Sequence, residues 1–236
     1  MNNTEKNEQN FWHVCRDPIL LTFVGGAIDT IGFIALFGFF TAHVTGNLVL
    51  AGAVWVKGGA GIWIKLAAIP LFIITVAMTK VFIDHSKQKH ITLSYLFLAE
   101  AIFLLAFMLS GLYFNPFDHP DSITLALTGG LGLIALAIRN TSSKTLIKHI
   151  SPSTMMTGNT TQLGIDLSHY VRHRTKEDKQ KLLKSLSIVV GFVAGAFLGA
   201  ILYVTLGFWS VGFFIIPVLY LSWLALQQQF IQPEEH

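Results

Sequence analysis

Three ionisable residues in this chain stand in apolar surroundings, where charge has a use or a cost. Asp29 lies in Gly25-Gly26-Ala27-Ile28-Asp29-Thr30-Ile31-Gly32, well inside a long apolar run. A carboxylate at membrane depth costs at least about 2.5–3.5 kcal/mol on insertion scales, so it has to face the protein interior and find partners. It suits a proton or cation site or a substrate contact; the plainer alternative is a protonated or hydrogen-bonded structural Asp. Glu100, eight residues into a later run, is a second buried-carboxylate candidate unless it lies near an interface and reaches water. His43 can titrate near neutral pH, or serve as a simple hydrogen-bonding residue at a span end.

A duplicated signature accompanies them. Thr45-Gly46-Asn47 and Thr157-Gly158-Asn159 are the same tripeptide, each followed after four residues by glycine, Gly52 and Gly164. Upstream, Ala27-Ile28 precedes Asp29 and Ala137-Ile138 precedes Arg139-Asn140, so Asn140 is the counterpart of Asp29. Thr and Asn are good helix N-caps, and Gly permits a tight turn or a close neighbour. A helix N-terminus held at membrane depth presents free N–H groups and positive dipole to an anion or a polar carbonyl. Two of them from related halves would face each other. The alternative is a turn and cap that holds an amphipathic connector against the bundle. The candidate substrate-binding or coupling residues are therefore Asp29, His43, Thr45, Gly46, Asn47, Glu100, Asn140, Thr157, Gly158 and Asn159.

The elements that must position these groups are apolar. Hydrophobic residues make up 53% of the chain and charged residues 12%, about half the charged share of a soluble domain. Six apolar segments run over 18–40, 62–83, 92–114, 123–138, 185–206 and 209–226. Only helices or closed barrels cross a bilayer with the backbone satisfied, and barrel-type alternation is absent. The run after Asn47 is too short to span and predicts a half-helix or re-entrant segment. With the N-terminus inside, fourteen of the sixteen Lys and Arg fall on the inner side, leaving Lys57 and Lys65 outside, a positive-inside bias. The expected fold is all-α and polytopic: six transmembrane helices as two inverted three-helix repeats, with short half-helices after the T-G-N motifs. An odd number of spans per repeat inverts the second copy. The expected organisation is a cytoplasmic tail over 1–17, a first repeat over 18–121, and a second over 122–236 with a basic cytoplasmic loop at 139–184.

Other features are expected to be structural. Gly191, Gly195 and Gly199 form a small stripe for close helix packing, between the repeats or between copies in a homo-oligomer. Pro70 and Pro217 fall inside spans. Arg139 reads as a ligand-capable group or a snorkelling anchor. His169 and His173 have i, i+4 spacing but no supporting metal motif, and the lone Cys15 excludes an intramolecular disulfide. No metal, cofactor, enzymatic motif or nucleic-acid partner is expected.

The segments Gly25–Asp29 and Phe39–Asn47, with Arg139-Asn140 and Met155–Asn159, resemble the YoaK-like family of bacterial membrane proteins of unknown function. The second signature departs from the family's Gly-Leu-Gln-Asn-Ala pattern, reading Leu136-Ala137-Ile138-Arg139-Asn140-Thr141. The resemblance implies a six-span protein of the bacterial inner membrane. The leading functional expectation is a secondary transporter or permease for a small molecule or ion, with both termini cytoplasmic. The alternative is a non-transporting scaffold or sensor whose basic loop contacts a partner or lipid.

Overall fold

The computed structural model describes residues 3–147 and 155–228, with side chains from Cys15 onward. All regular structure among them is helical: α1 (Asn3–Ala35), α2 (Val44–Lys57), α3 (Ile62–His85), α4 (Lys89–Phe114), α5 (Ile123–Leu146), α6 (Met156–His173), α7 (Lys176–Leu206) and α8 (Ser210–Leu226). Five segments are long and apolar enough to cross a membrane: Cys15–Ala35, Ile62–His85, Lys89–Phe114, Ile123–Leu146 and Lys176–Leu226. At about 1.5 Å per residue each reaches the ~30 Å of a hydrocarbon core. The last is 51 residues long, about 76 Å if straight. A 3-10 turn at Gly207–Trp209, begun by Gly207 at φ +59°, divides it into α7 and α8.

Side-chain contacts give the helix directions. Gly191 meets Ile19 and Thr22, Gly195 meets Phe23 and Gly199 meets Ala27, so α1 and α7 run parallel. The glycines are required there, because a Cβ at Gly195 would sit 1.9 Å from the Phe23 carbonyl oxygen. The stripe is thus an internal contact. On the other side α3 and α5 run parallel: the Gly61 N–H donates to Asp121 at their starts (2.7 Å), and Leu71 packs on Gly130 further along. Helix α4 is antiparallel to α5, through Ser110–Thr128 (2.6 Å) and Glu100–Arg139, and antiparallel to α8, through Ser94–Ser222 (2.9 Å) and the Phe107–Phe208 ring contact. Helix α2 lies on α3, and α6 on α7.

Leu21, Ile28, Phe97, Leu104, Phe107, Leu133 and Phe214 fill the centre, while Met78, Phe197, Val204 and Ile216 are largely exposed. Large apolar side chains over so much of the surface mark a lipid-facing exterior.

The first half-helix is reached by a backbone reversal. After Ala35, Phe37 (φ +51°) and Gly38 (φ +76°) turn the chain back, and residues 39–43 descend beside α1. Thr41 Oγ1 donates to the Ile28 carbonyl at 3.3 Å and the Ala42 N–H to Asp29 at 2.6 Å. Gly32 makes the room, since a Cβ there would meet Thr41 Cγ2 at 2.6 Å. Helix α2 therefore starts level with Asp29, six residues or about 9 Å below the end of α1. Its 14 residues give about 21 Å, short of a full crossing.

The structure corrects the expectation that T-G-N supplies the turn and the cap, and gives local structure to the other expectations. The 1–17 stretch is helical from Asn3, continuous with the first span. The tight turn uses Phe37 and Gly38 rather than the motif glycine. Helices α2 and α6 begin at Val44 and Met156, so both T-G-N tripeptides lie inside the first turn; the cap positions are His43 and Met155, and neither makes a side-chain cap. The 139–184 stretch is mostly helix, shared among the end of α5, all of α6 and the start of α7; its residues 148–154 fall outside the described ones, as does the C-terminal tail from 229. Helices α3 and α8 continue through Pro70 and Pro217.

Candidate functional site

Between the first turns of α2 and α6 and the facing sides of α3 and α5 lies a cavity of about 440 Å³. His43 and Thr45 line it from the first half, Thr157 and Gly158 from the second, and Asn140 and Lys144 from α5. Phe72, Val76, Met155 and Met156 supply an apolar wall. The volume falls in the range of small-molecule sites, which combine apolar lining with a few convergent polar groups.

Asp29 stands one layer behind His43. Its Oδ2 pairs with His43 Nδ1 at 2.6 Å, while Oδ1 accepts from the Ala42 N–H at 2.6 Å and, more weakly, from the His43 N–H and Thr41 Oγ1, both 3.4 Å. The Asp29 side chain is 5% exposed. A carboxylate ringed by donors tolerates burial, and this one ties the re-entrant segment to α1. It also orients the imidazole, which keeps 30% of its side chain exposed and lines the cavity.

Asn47 is fully buried and outside the cavity. Its Oδ1 accepts from the Phe40 N–H at 2.9 Å and its Nδ2 donates to the Phe40 carbonyl at 2.8 Å, a two-way amide pair. No other side chain of similar size offers both a donor and an acceptor in that plane. Gly46 packs on the Phe40 ring, 2.9 Å from where a Cβ would be. Asn159 is likewise buried and reaches Met156 Sδ at 3.8 Å. Beyond Gly158, a Cβ would meet nothing within 4 Å. Gly158 also borders a second cavity of about 400 Å³ between α6 and α7, with Asn159, Gln162, Asp166, Lys181 and Lys184. There Gln162 donates to Asp166 at 2.8 Å.

Glu100 is apart from this site. It is fully buried and ion-paired with Arg139 Nη2, while Arg139 Nη1 donates to the Leu21 carbonyl of α1 at 2.9 Å. Arg139 is therefore no snorkelling anchor and Glu100 does not reach water. The pair joins α4, α5 and α1 at one point.

His43, Thr45, Asn140, Thr157 and Gly158 thus come together around one cavity. Asp29 supports it from behind, Gly46, Asn47 and Asn159 lie in the first turns of α2 and α6, and Glu100 lies elsewhere. Lys144 escapes a reading of the sequence, although it follows Asn140 by four residues and so shares its helix face. Among the described residues no group of acidic, His or Cys side chains is arranged to hold a metal.

No curated protein and no solved structure matches the chain. A family match covers residues 18–224, taking in α2 to α7, the second half of α1 and nearly all of α8, with both T-G-N segments. The chain belongs to the family described as protein of unknown function (DUF1275).

Proposed function

We propose that this protein is a secondary transporter or permease for a small solute, with its site in the cavity between the two T-G-N segments. One observation carries the reading: a single cavity is lined by the same motif positions from both halves of the chain, Thr45 and Thr157. The proposed scaffold is six crossings in two inverted repeats, in a bacterial inner membrane with both termini cytoplasmic, as in YoaK-like proteins. Its support is that packing relations survive exchange of the halves. Helix α1 lies parallel on α7 as α5 does on α3; α2 lies on α3 as α6 does on α7; α4 meets α5 as α8 meets α1. Sites between such repeats, built on broken helices, are how secondary transporters expose one site to two sides.

The cavities also suggest a path. Gly158 is shared between the central cavity and the one beside Lys181 and Lys184, on the side assigned to the cytoplasm. On the opposite side Phe33 stacks on Phe40 with centroids 4.7 Å apart, and Lys65 Nζ donates to the Phe37 carbonyl at 3.3 Å. In the transporter reading these contacts would close the outer side and leave the inner side open.

The test is flux into proteoliposomes across a panel of small solutes, wild type beside Asp29→Asn and Gly158→Leu. Flux should appear for at least one solute and fall at least tenfold in both variants, with each still folded. Flux indifferent to both substitutions, or no flux for any solute, would remove the reading.

A further inference from the structure

We infer that the central cavity takes a small organic anion, a carboxylate carried on an apolar body. The inference rests on the reading of this cavity as a solute site and names the chemistry of the solute. Among the described lining residues two side chains can carry charge, Lys144 and His43, none is Asp or Glu, and His43 is already paired with Asp29, which leaves Lys144 as the cation on the wall. Lys144 is exposed to the cavity and has no ion-pair partner among the described residues.

The nearest carboxylates are already engaged. Asp29 commits both oxygens to His43, Ala42 and Thr41, and Asp166 lies in the adjoining cavity, 6% exposed and bonded by Gln162. A cation facing an apolar-walled cavity attracts an anion more strongly than it would in open water, because the local dielectric is lower. The first turns of α2 and α6 add to the same sign: neither helix has a side-chain cap, and first-turn N–H groups lack intrahelical acceptors, although in α2 those of His43 and Val44 are taken by Asp29 and the Ala42 carbonyl. Phe72, Val76, Met155 and Met156 give an apolar solute body a surface to cover, which an inorganic anion would not use. A cationic solute would meet Lys144 and, among the described lining residues, no carboxylate.

A charge series with one shape tests this: benzoate, benzamide and benzamidine, each titrated against the detergent-purified full chain by calorimetry and by thermal shift. Benzoate should bind at least tenfold more tightly than benzamide, and benzamidine should be weakest. In Lys144→Gln the benzoate affinity should fall about tenfold with benzamide unchanged, while Lys144→Arg keeps the preference; the melting profile of each variant without ligand shows that it is folded. Equal affinities across the series, a preference for benzamidine, no benzoate binding, or a benzoate preference that survives Lys144→Gln would each overturn the inference. Proteoliposome flux separates the two readings. Charge-selective binding without flux leaves the anion site standing and removes transport, whereas flux without preference for benzoate keeps transport and removes the anion site.

Discussion

The two T-G-N segments share a tripeptide and a place in the first turn of a helix, yet they sit in different chemistry. In the first, the cap position is His43, tied to Asp29, and the approach is packed with Phe33, Phe39 and Phe40. In the second, the cap position is Met155, the counterpart of Asp29 is the neutral Asn140, and open space lies beyond Gly158. Helix α2 continues as Leu48-Val49-Leu50 and α6 as Thr160-Thr161-Gln162. The repeated residues thus serve the backbone at the helix start, with the Asn buried in each, and the residues around them decide whether that start is closed off or joined to further space. The shared tripeptide serves the helix start in both places, and the neighbouring residues make the two sides of the cavity unlike.

Four sets of substitutions would break or sharpen that contrast. The largest effect should fall beneath the two helix starts, at the ion pair that couples α5 to α4 and α1. Arg139→Met leaves Glu100 buried and unpaired, a loss of about 3–5 kcal/mol, and the double variant with Glu100→Met should recover most of it, read as detergent melting temperature. Asp29→Ala comes next. It removes charge-assisted hydrogen bonds from the first segment and should cost about 1.5–3 kcal/mol, whereas Asn140→Ala should cost less; equal losses would mean that the two segments are held alike. Asn47→Leu orphans the Phe40 amide and carbonyl, for about 1–3 kcal/mol, and protease nicking between Phe37 and His43 should rise with it. The smallest effect on stability should be at Gly158→Leu, within about 0.5 kcal/mol because its surroundings are open, while Gly46→Leu should be more costly because Phe40 is in the way. Reversal of that order would contradict the closed and open assignments.

Much of the candidate site is legible without coordinates. Asp29 announces itself because a carboxylate in an apolar run must have partners. The repeated T-G-N marks the start of each half-helix because first-turn geometry is a local property. The error about capping is equally local: a motif one or two residues inside a helix reads much like one at its edge. Glu100 and Arg139 each stand out, but their pairing spans 39 residues and no spacing rule connects them. Lys144 is hidden as one cation among the positive-inside charges.

The amino-acid sequence by itself determined the helical membrane class, the duplicated helix starts and the length of the half-helix after Asn47, because these follow from composition and from contacts a few residues apart. Only the tertiary structure decided that the Gly191–Gly199 stripe packs on α1, that Asp29 is saturated by the returning segment, and that His43, Asn140, Lys144 and Thr157 share one cavity. Those outcomes depend on which helices lie side by side and in what direction, and burial is collective: a buried polar group finds whichever partner the packing brings near, at whatever distance along the chain.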